Sequence, residues 1–318
     1  MNGKRANWAF LAEVLGYMVL AFGLTLFMPG IMGNLVLNNL ICEVILSLPV
    51  LIVTVASKEK LVSFFGFHKM KISSVLMTVL FTFLSMPILT LFNLISQLWV
   101  ENEVAPMMEE LQIGQMPLGA LLFSMSISAP VFEEITCRGA YYHAYRKSGS
   151  AVRAILMSSL IFAVSHMNFN QAAYAFVVGI LAVLLVEATG SLWSSILYHA
   201  LINGSQAILM YQVLKVNPDI YSEQADMVTR DFLLYGIGVY LLITAVTLPL
   251  AWAVLVWLGG NEGRRGVLSA IWHERKEKKG KIITVPFLLA LLLALGMMTG
   301  LFSRLFIQIY QYCFQYWG

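Results

Sequence analysis

Charge is what this sequence has least of. Only 12% of its 318 residues are Asp, Glu, Lys or Arg, where a soluble globular chain carries about 25%. Hydrophobic residues make up 59%, and the mean hydropathy is +0.78. That balance excludes an ordinary water-soluble domain. Cysteine is scarce as well: Cys42, Cys137 and Cys313 lie far apart, which excludes a disulfide framework and any zinc-type Cys spacing. The H-E-x-x-H helix of common zinc peptidases is missing, as are internal repeats and low-complexity tracts. The net charge of +3 does not argue for nucleic acid, because the basic residues gather in loops where membrane topology accounts for them.

What is there is a series of long apolar runs, which reads as an all-α, polytopic transmembrane helical bundle forming a single membrane domain over residues 1–318. Spans are expected at Trp8–Met28 (ended by Pro29-Gly30), Leu35–Ala56, Ser74–Leu98, Pro117–Tyr141, Ala151–His166, Gln171–Ala188, Leu192–Leu214, Phe232–Trp257 and Ile282–Ser303. That makes about nine, or eight to nine, given the length a bilayer core demands. The loops holding Lys58, Lys60, Lys69 and Lys71, then Arg146, Lys147 and Arg153, then Arg264 to Lys281 are basic. The loop with Glu101, Glu103, Glu109 and Glu110 is acidic. Nine spans with a cytoplasmic N-terminus place every basic loop inside, as the positive-inside rule requires. Trp8, Trp99, Trp193 and Trp257 fall at span ends, where an aromatic belt belongs. A bacterial plasma membrane is expected, since no eukaryotic targeting signal is visible. The basic segment Gly263–Lys281 could meet anionic lipid or a partner, though its topological role already explains its charge.

Within the runs, Val131-Phe-Glu-Glu-Ile-Thr-Cys-Arg138 stands out. A charge at mid-bilayer depth costs roughly 2.5–3.5 kcal/mol even on insertion scales. Residues four apart share a helix face, so Glu134 and Arg138 are expected to pair. Neighbours on a helix diverge, so Glu133 is expected to point elsewhere without an intrahelical cation. His199 and Asn203 also share a face, within an otherwise apolar run, and imply a common polar partner. His166 closes the fifth span with Phe162 one turn before it. At about 1.5 Å per residue these groups lie at similar depth. The same residues also admit a structural reading: a charged knot near a helix end and a polar helix–helix clamp.

Glu133-Glu134-x-x-x-Arg138, Phe162-x-x-x-His166 and His199-x-x-x-Asn203 resemble, in order and separation, the motifs of the CPBP (Abi) family of intramembrane proteases. That family includes the type II CAAX prenyl endopeptidases and proteins linked to bacteriocin self-immunity. Phe176-Val-Val-Gly179 and Thr189-Gly-Ser-Leu-Trp193 are similar to its glycine-bearing span and following turn, while Val183 departs from a frequent second glycine. The likeness covers Pro117–Gly204, a catalytic core flanked by extra helices over 1–116 and 205–318.

The resemblance implies an intramembrane endopeptidase. Glu133 would be its general base, His166 would help hold the water, and His199 and Asn203 would serve the oxyanion, with Glu134, Arg138 and Phe162 as support. A desolvated carboxylate and aimed donors suit that chemistry. No cofactor is favoured, but zinc on Glu133, His166 and His199 is the alternative. The implied partners are the lipid bilayer and a peptide or membrane-anchored protein, prenylated or not, with no nucleic acid. Two other functions stay open: a non-catalytic membrane partner such as an immunity protein, and a proton-coupled transporter that would use Glu13, Glu43 and Glu187. The paired broken helices of such transporters are not seen.

Overall fold

The computed structural model describes residues 1–28, 31, 33–223, 227–276 and 282–308. Pro29-Gly30, Lys281 and Cys313, named above, lie outside the described residues. No strand occurs among the described residues. The principal helices are α1 (Gly3–Phe27), α2 (Leu35–Ala56), α3 (Ile72–Ser96), α4 (Leu118–Ser148), α5 (Ala151–Ser165), α6 (Phe169–Thr189), α7 (Leu192–Val216), α8 (Arg230–Asn261) and α9 (Val285–Met298). A side-chain oxygen caps most of their N-termini. Asn2, Asn34, Ser150, Asn168, Ser191 and Thr229 each accept a backbone N–H two or three residues on. Between α6 and α7 the chain turns at Gly190, whose φ of +71° is a left-handed C-cap that glycine adopts without penalty.

A helix stands at each of the nine expected places, but they do not all qualify as spans. Six are long and apolar enough by themselves to cross a membrane: α1, α2, α3, α4, α6 and α8. A seventh is reached if α9 and Leu301–Gln308, bent 69° apart, count as one. The 15 residues of α5 reach only about 22 Å at 1.5 Å per residue, short of a bilayer core of about 30 Å. Helix α7 has the length, but its Ser, His, Asn and Gln residues lower its hydropathy. The expected nine spans are thus six or seven, and the two helices that drop out are the ones that end at His166 and carry His199 and Asn203.

The helices pack as α1 on α2 and α9, α3 on α8, α5 on α6, and α7 on α3, α4 and α6. Contact between α5 and α6 is close because Gly179 has no side chain: a Cβ there would sit 2.7 Å from Ser159 Cβ. Val183, four residues on, is fully buried in the same helix, so the departure from a second glycine is accommodated. Leu241, Leu242 and Val246 on α8 are more than half exposed, as a lipid-facing surface should be. The Gly263–Lys281 segment contains a short helix, Val267–His273, with Ile271 buried. Arg264 at its start donates from Nε to the Glu187 carbonyl at 2.7 Å.

Candidate active site

Helix α4 is not a regular α-helix. Its turns loosen to π geometry over Phe123–Ser128 and again over Ile135–Tyr142, bracketing Ala129–Glu134. Pro130 supplies a physical reason for the first loosening. It has no N–H, and its ring crowds the carbonyl four residues back. In the wider pattern the carbonyl it would have served is that of Met125, five residues earlier. Asn203 Nδ2 donates to this oxygen at 3.1 Å, and Asn39 Nδ2 donates to Ser124 O at 3.2 Å. Gly204, beside Asn203, lets α7 approach, since a Cβ there would meet Ser126 Oγ at 2.6 Å. Widened turns of this kind concentrate at functional sites.

The carboxylates sit on the short α segment between the two π stretches. Arg138 Nη1 is 2.9 Å from Glu134 Oε1, with both side chains shut off from solvent. The same Oε1 accepts from His199 Nδ1 at 2.9 Å. The other nitrogen of that ring, Nε2, lies 3.6 Å from Glu133 Oε2. One imidazole therefore touches both glutamates. Divergence of neighbours on a helix does not send Glu133 to a separate place, because the ring from α7 inserts between the two carboxyls. His199 and Asn203 share a face but engage different partners on α4.

Phe162 holds the group together. The Arg138 guanidinium lies over its ring at 4.1 Å from the centroid. The rings of His166 and His199 meet it edge-on, at centroid distances of 4.9 and 5.5 Å. His166 Nδ1 pairs with the Phe162 carbonyl at 2.7 Å. As a neutral ring this makes Nδ1 the donor and leaves Nε2 as acceptor.

A cavity of about 60 Å³ is lined by Glu13, Glu43, Ser47, Glu133, Thr136 and His166, among others. At about 30 Å³ per molecule in the liquid, it has room for roughly two waters. Neither His199 nor Asn203 lines it. A far larger apolar cavity of about 700 Å³ lies between α5, α6 and α8, bordered by Trp252, Arg264 and Trp272, but it holds none of the glutamates.

Glu13 and Glu43 come from α1 and α2. Glu13 accepts from Tyr141 Oη at 2.6 Å and from Ser165 Oγ at 2.8 Å, so it is buried rather than extended to the interface. Sequence reading sets Glu43 aside as a transporter residue. Its signal is the buried stripe Glu43, Ser47, Val50 and Thr54, whose period places an unexpectedly polar face towards α4. Glu187, the third such residue, is instead bound by Tyr142 Oη and lies 3.4 Å from Arg264 Nη2.

Among the described residues, no three His, Cys, Asp or Glu side chains are gathered so as to hold a metal ion.

These features define a bundle of membrane helices with a buried Glu, Arg and His network beside a small polar cavity. Residues 115–205 match the family model described as type II CAAX prenyl endopeptidase Rce1-like. The matched segment agrees with the Pro117–Gly204 resemblance read from the motifs and supplies Glu133, Glu134, Arg138, His166 and His199. It covers less than a third of the chain. No curated protein matches, and no solved structure does.

Proposed function

We propose that the chain is an intramembrane endopeptidase that hydrolyses a peptide bond with a water activated by Glu133. The observation that carries this reading is the joint one above. Glu133 borders a cavity of water-holding size, His166 lines the same cavity, and His199 is fixed by Glu134 with its second nitrogen aimed at Glu133. Glu134 and Arg138 act as the anchor that sets the His199 ring.

In the reaction, Glu133 takes a proton from water and the oxygen adds to the scissile carbonyl carbon. Collapse breaks the C–N bond, and the proton returns to the departing nitrogen. His166 Nε2 accepts from the water and orients it. Asn203 gives one amide hydrogen to Met125, and its second serves the developing oxyanion; His199, whose Nδ1 is held by Glu134, would join it from Nε2 only as the doubly protonated ring. We favour the glutamate form of the mechanism because no three His, Cys, Asp or Glu side chains are gathered for a metal ion among the described residues; the Nδ1 bonds of His166 and His199 leave each Nε2 free and suit either form.

The substrate is a peptide or a membrane-anchored protein, prenylated or not, and the enzyme works as a multi-pass protein of a bacterial plasma membrane with its N-terminus in the cytoplasm. Tested in detergent with a prenylated fluorogenic peptide, Glu133→Gln should lower kcat by about 10²–10⁴ with an unchanged melting temperature. Strong chelation should leave wild-type activity intact. An active Glu133→Gln variant would sink the base assignment, and activity lost on chelation and restored by zinc would replace it with a metal mechanism.

A further inference from the structure

The cavity contains more carboxyl groups than a single base needs, and they are not equivalent. Glu13 has a hydroxyl donor on each oxygen. Glu43 has none: it is 3% exposed, and its Oε2, like Oε2 of Glu133, is buried without any conventional hydrogen-bond donor. Both carboxyl groups line the same small cavity, and each turns a buried oxygen without a hydrogen-bond partner into the packed interior. Two ionised carboxylates cannot bond to each other, so a bond across this cavity would need one proton held between them. The surrounding geometry fixes the approach, since Thr136 Oγ1 of α4 donates to Ser47 Oγ of α2 at 2.9 Å, one turn from each glutamate. Glu43 lies outside the segment matched by the family model.

We propose that Glu43 is a positioning residue for Glu133: its carboxyl donates one hydrogen bond from α2 to the Glu133 carboxylate and thereby aims the remaining oxygen lone pairs at the water. The inference rests on Glu133 being the base. It changes no stoichiometry. Glu43 keeps its proton throughout, water gives one proton to Glu133, the new C–O bond forms as the carbonyl π pair moves to oxygen, and Glu133 returns that proton to nitrogen as C–N breaks. The other titratable groups around Glu43 are Glu13 of α1, Glu133 and Cys137 of α4, and His166 at the end of α5, with Cys42 adjacent in sequence.

The test compares wild type with Glu43→Gln, Glu43→Ala and Glu133→Gln, all full-length in detergent and checked for equal thermal stability. Kinetics on the prenylated fluorogenic peptide should show Glu43→Ala lowering kcat by about tenfold to a hundredfold with KM nearly unchanged. Glu43→Gln, which replaces the O–H donor by an N–H, should recover most of the rate. It should also lose any alkaline fall of kcat that comes from removing the Glu43 proton. Difference infrared spectroscopy, which needs no substrate, should find a protonated-carboxyl C=O band that vanishes in Glu43→Gln and moves in Glu133→Gln. Wild-type kcat and pH profile in Glu43→Ala, a Gln variant as impaired as the Ala variant, or a band indifferent to both substitutions would each overturn the proposal. An active Glu133→Gln would instead remove the proteolytic reading, while the infrared band would still judge the bond between the two carboxyls.

Discussion

Replacing Arg138 by methionine removes a guanidinium whose Nη1 is 2.9 Å from Glu134 Oε1, with the two side chains 1% and 0% exposed. Breaking a buried pair by deleting one partner costs about 3–5 kcal/mol, because the other charge is left uncompensated. Loss of the contact over Phe162 adds up to about 2 kcal/mol where it is desolvated. Two features of the site pull the other way. Neither Nη1 nor Nη2 of Arg138 makes a well-aligned hydrogen bond, so the attraction is chiefly coulombic. Glu134 also keeps His199 Nδ1 as a donor at 2.9 Å. The expected loss is therefore about 3 kcal/mol, near a hundredfold in the unfolding equilibrium at about 1.4 kcal/mol per decade.

Reversible unfolding in mixed micelles measures this loss, and a double-mutant cycle with Glu134→Gln isolates the pair. The double variant, with no unpaired charge, should be more stable than the sum of the two single losses by about 2 kcal/mol or more. Strict additivity within about 0.5 kcal/mol would refute the ion pair as the anchor of the site.

Gly179→Ala should destabilise by about 1–3 kcal/mol through overpacking, because its Cβ would fall 2.7 Å from Ser159 Cβ across the α5–α6 contact; thermal unfolding reports it, and an unaffected melting temperature would mean the helices separate freely. Asn203→Ala separates two roles. Removal of an oxyanion donor lowers kcat by about 10²–10³, whereas loss of only the bond to Met125 O costs about 1 kcal/mol of stability. The proposed role is refuted if kcat stays within a few-fold of wild type.

Outside the membrane helices, Lys147 at 2.7 Å holds the Glu59 carboxylate below its ordinary value of 4.5. A depressed carboxylate contributes stability above its unfolded pKa and loses it as pH falls through the folded one. The contribution should fade below about pH 4.5, modestly for so exposed a pair, and Lys147→Met should flatten that acid limb in a melting-temperature profile.

The helices were legible because apolar runs interrupted by loop residues leave little freedom, and Leu35–Ala56 has the ends the sequence predicts. The expectation of nine spans exceeds the six or seven found, because α5 ends early at the Ser165–His166 turn and α7 carries Ser, His and Asn in place of aliphatic residues. In the site, the Glu134–Arg138 pair follows from a spacing of four, and the structure contains it. The sharing of His199 between adjacent glutamates does not follow, since it depends on a ring arriving from a helix sixty residues away. Nor do the π turns, although Pro130 within an otherwise helical run was a visible reason to expect broken periodicity. Glu43 was hidden for a different reason: one buried glutamate looks accidental until the residues at four, seven and eleven positions onward are seen to share its face.

Family likeness and cavity do not have the same boundaries, and the difference bears on what the N-terminal helices do. The matched segment, 115–205, contributes Glu133, Thr136, Phe162 and His166 to the cavity wall, but Glu13, Glu43 and Ser47 complete it from α1 and α2. Those contacts are specific. Tyr141 reaches Glu13, Thr136 reaches Ser47, and Tyr145 Oη reaches Asn7 Oδ1 at 2.5 Å. Each donor lies on the half of α4 that follows Glu133, Thr136 and Tyr141 within the second π stretch and Tyr145 in the regular turn just beyond it. A buried hydroxyl without its acceptor costs about 1–3 kcal/mol, so these three bonds oppose any outward drift of α1 and α2. The first two helices therefore form a wall that fixes the depth and polarity of the space beside Glu133, rather than an appendage to a self-sufficient core.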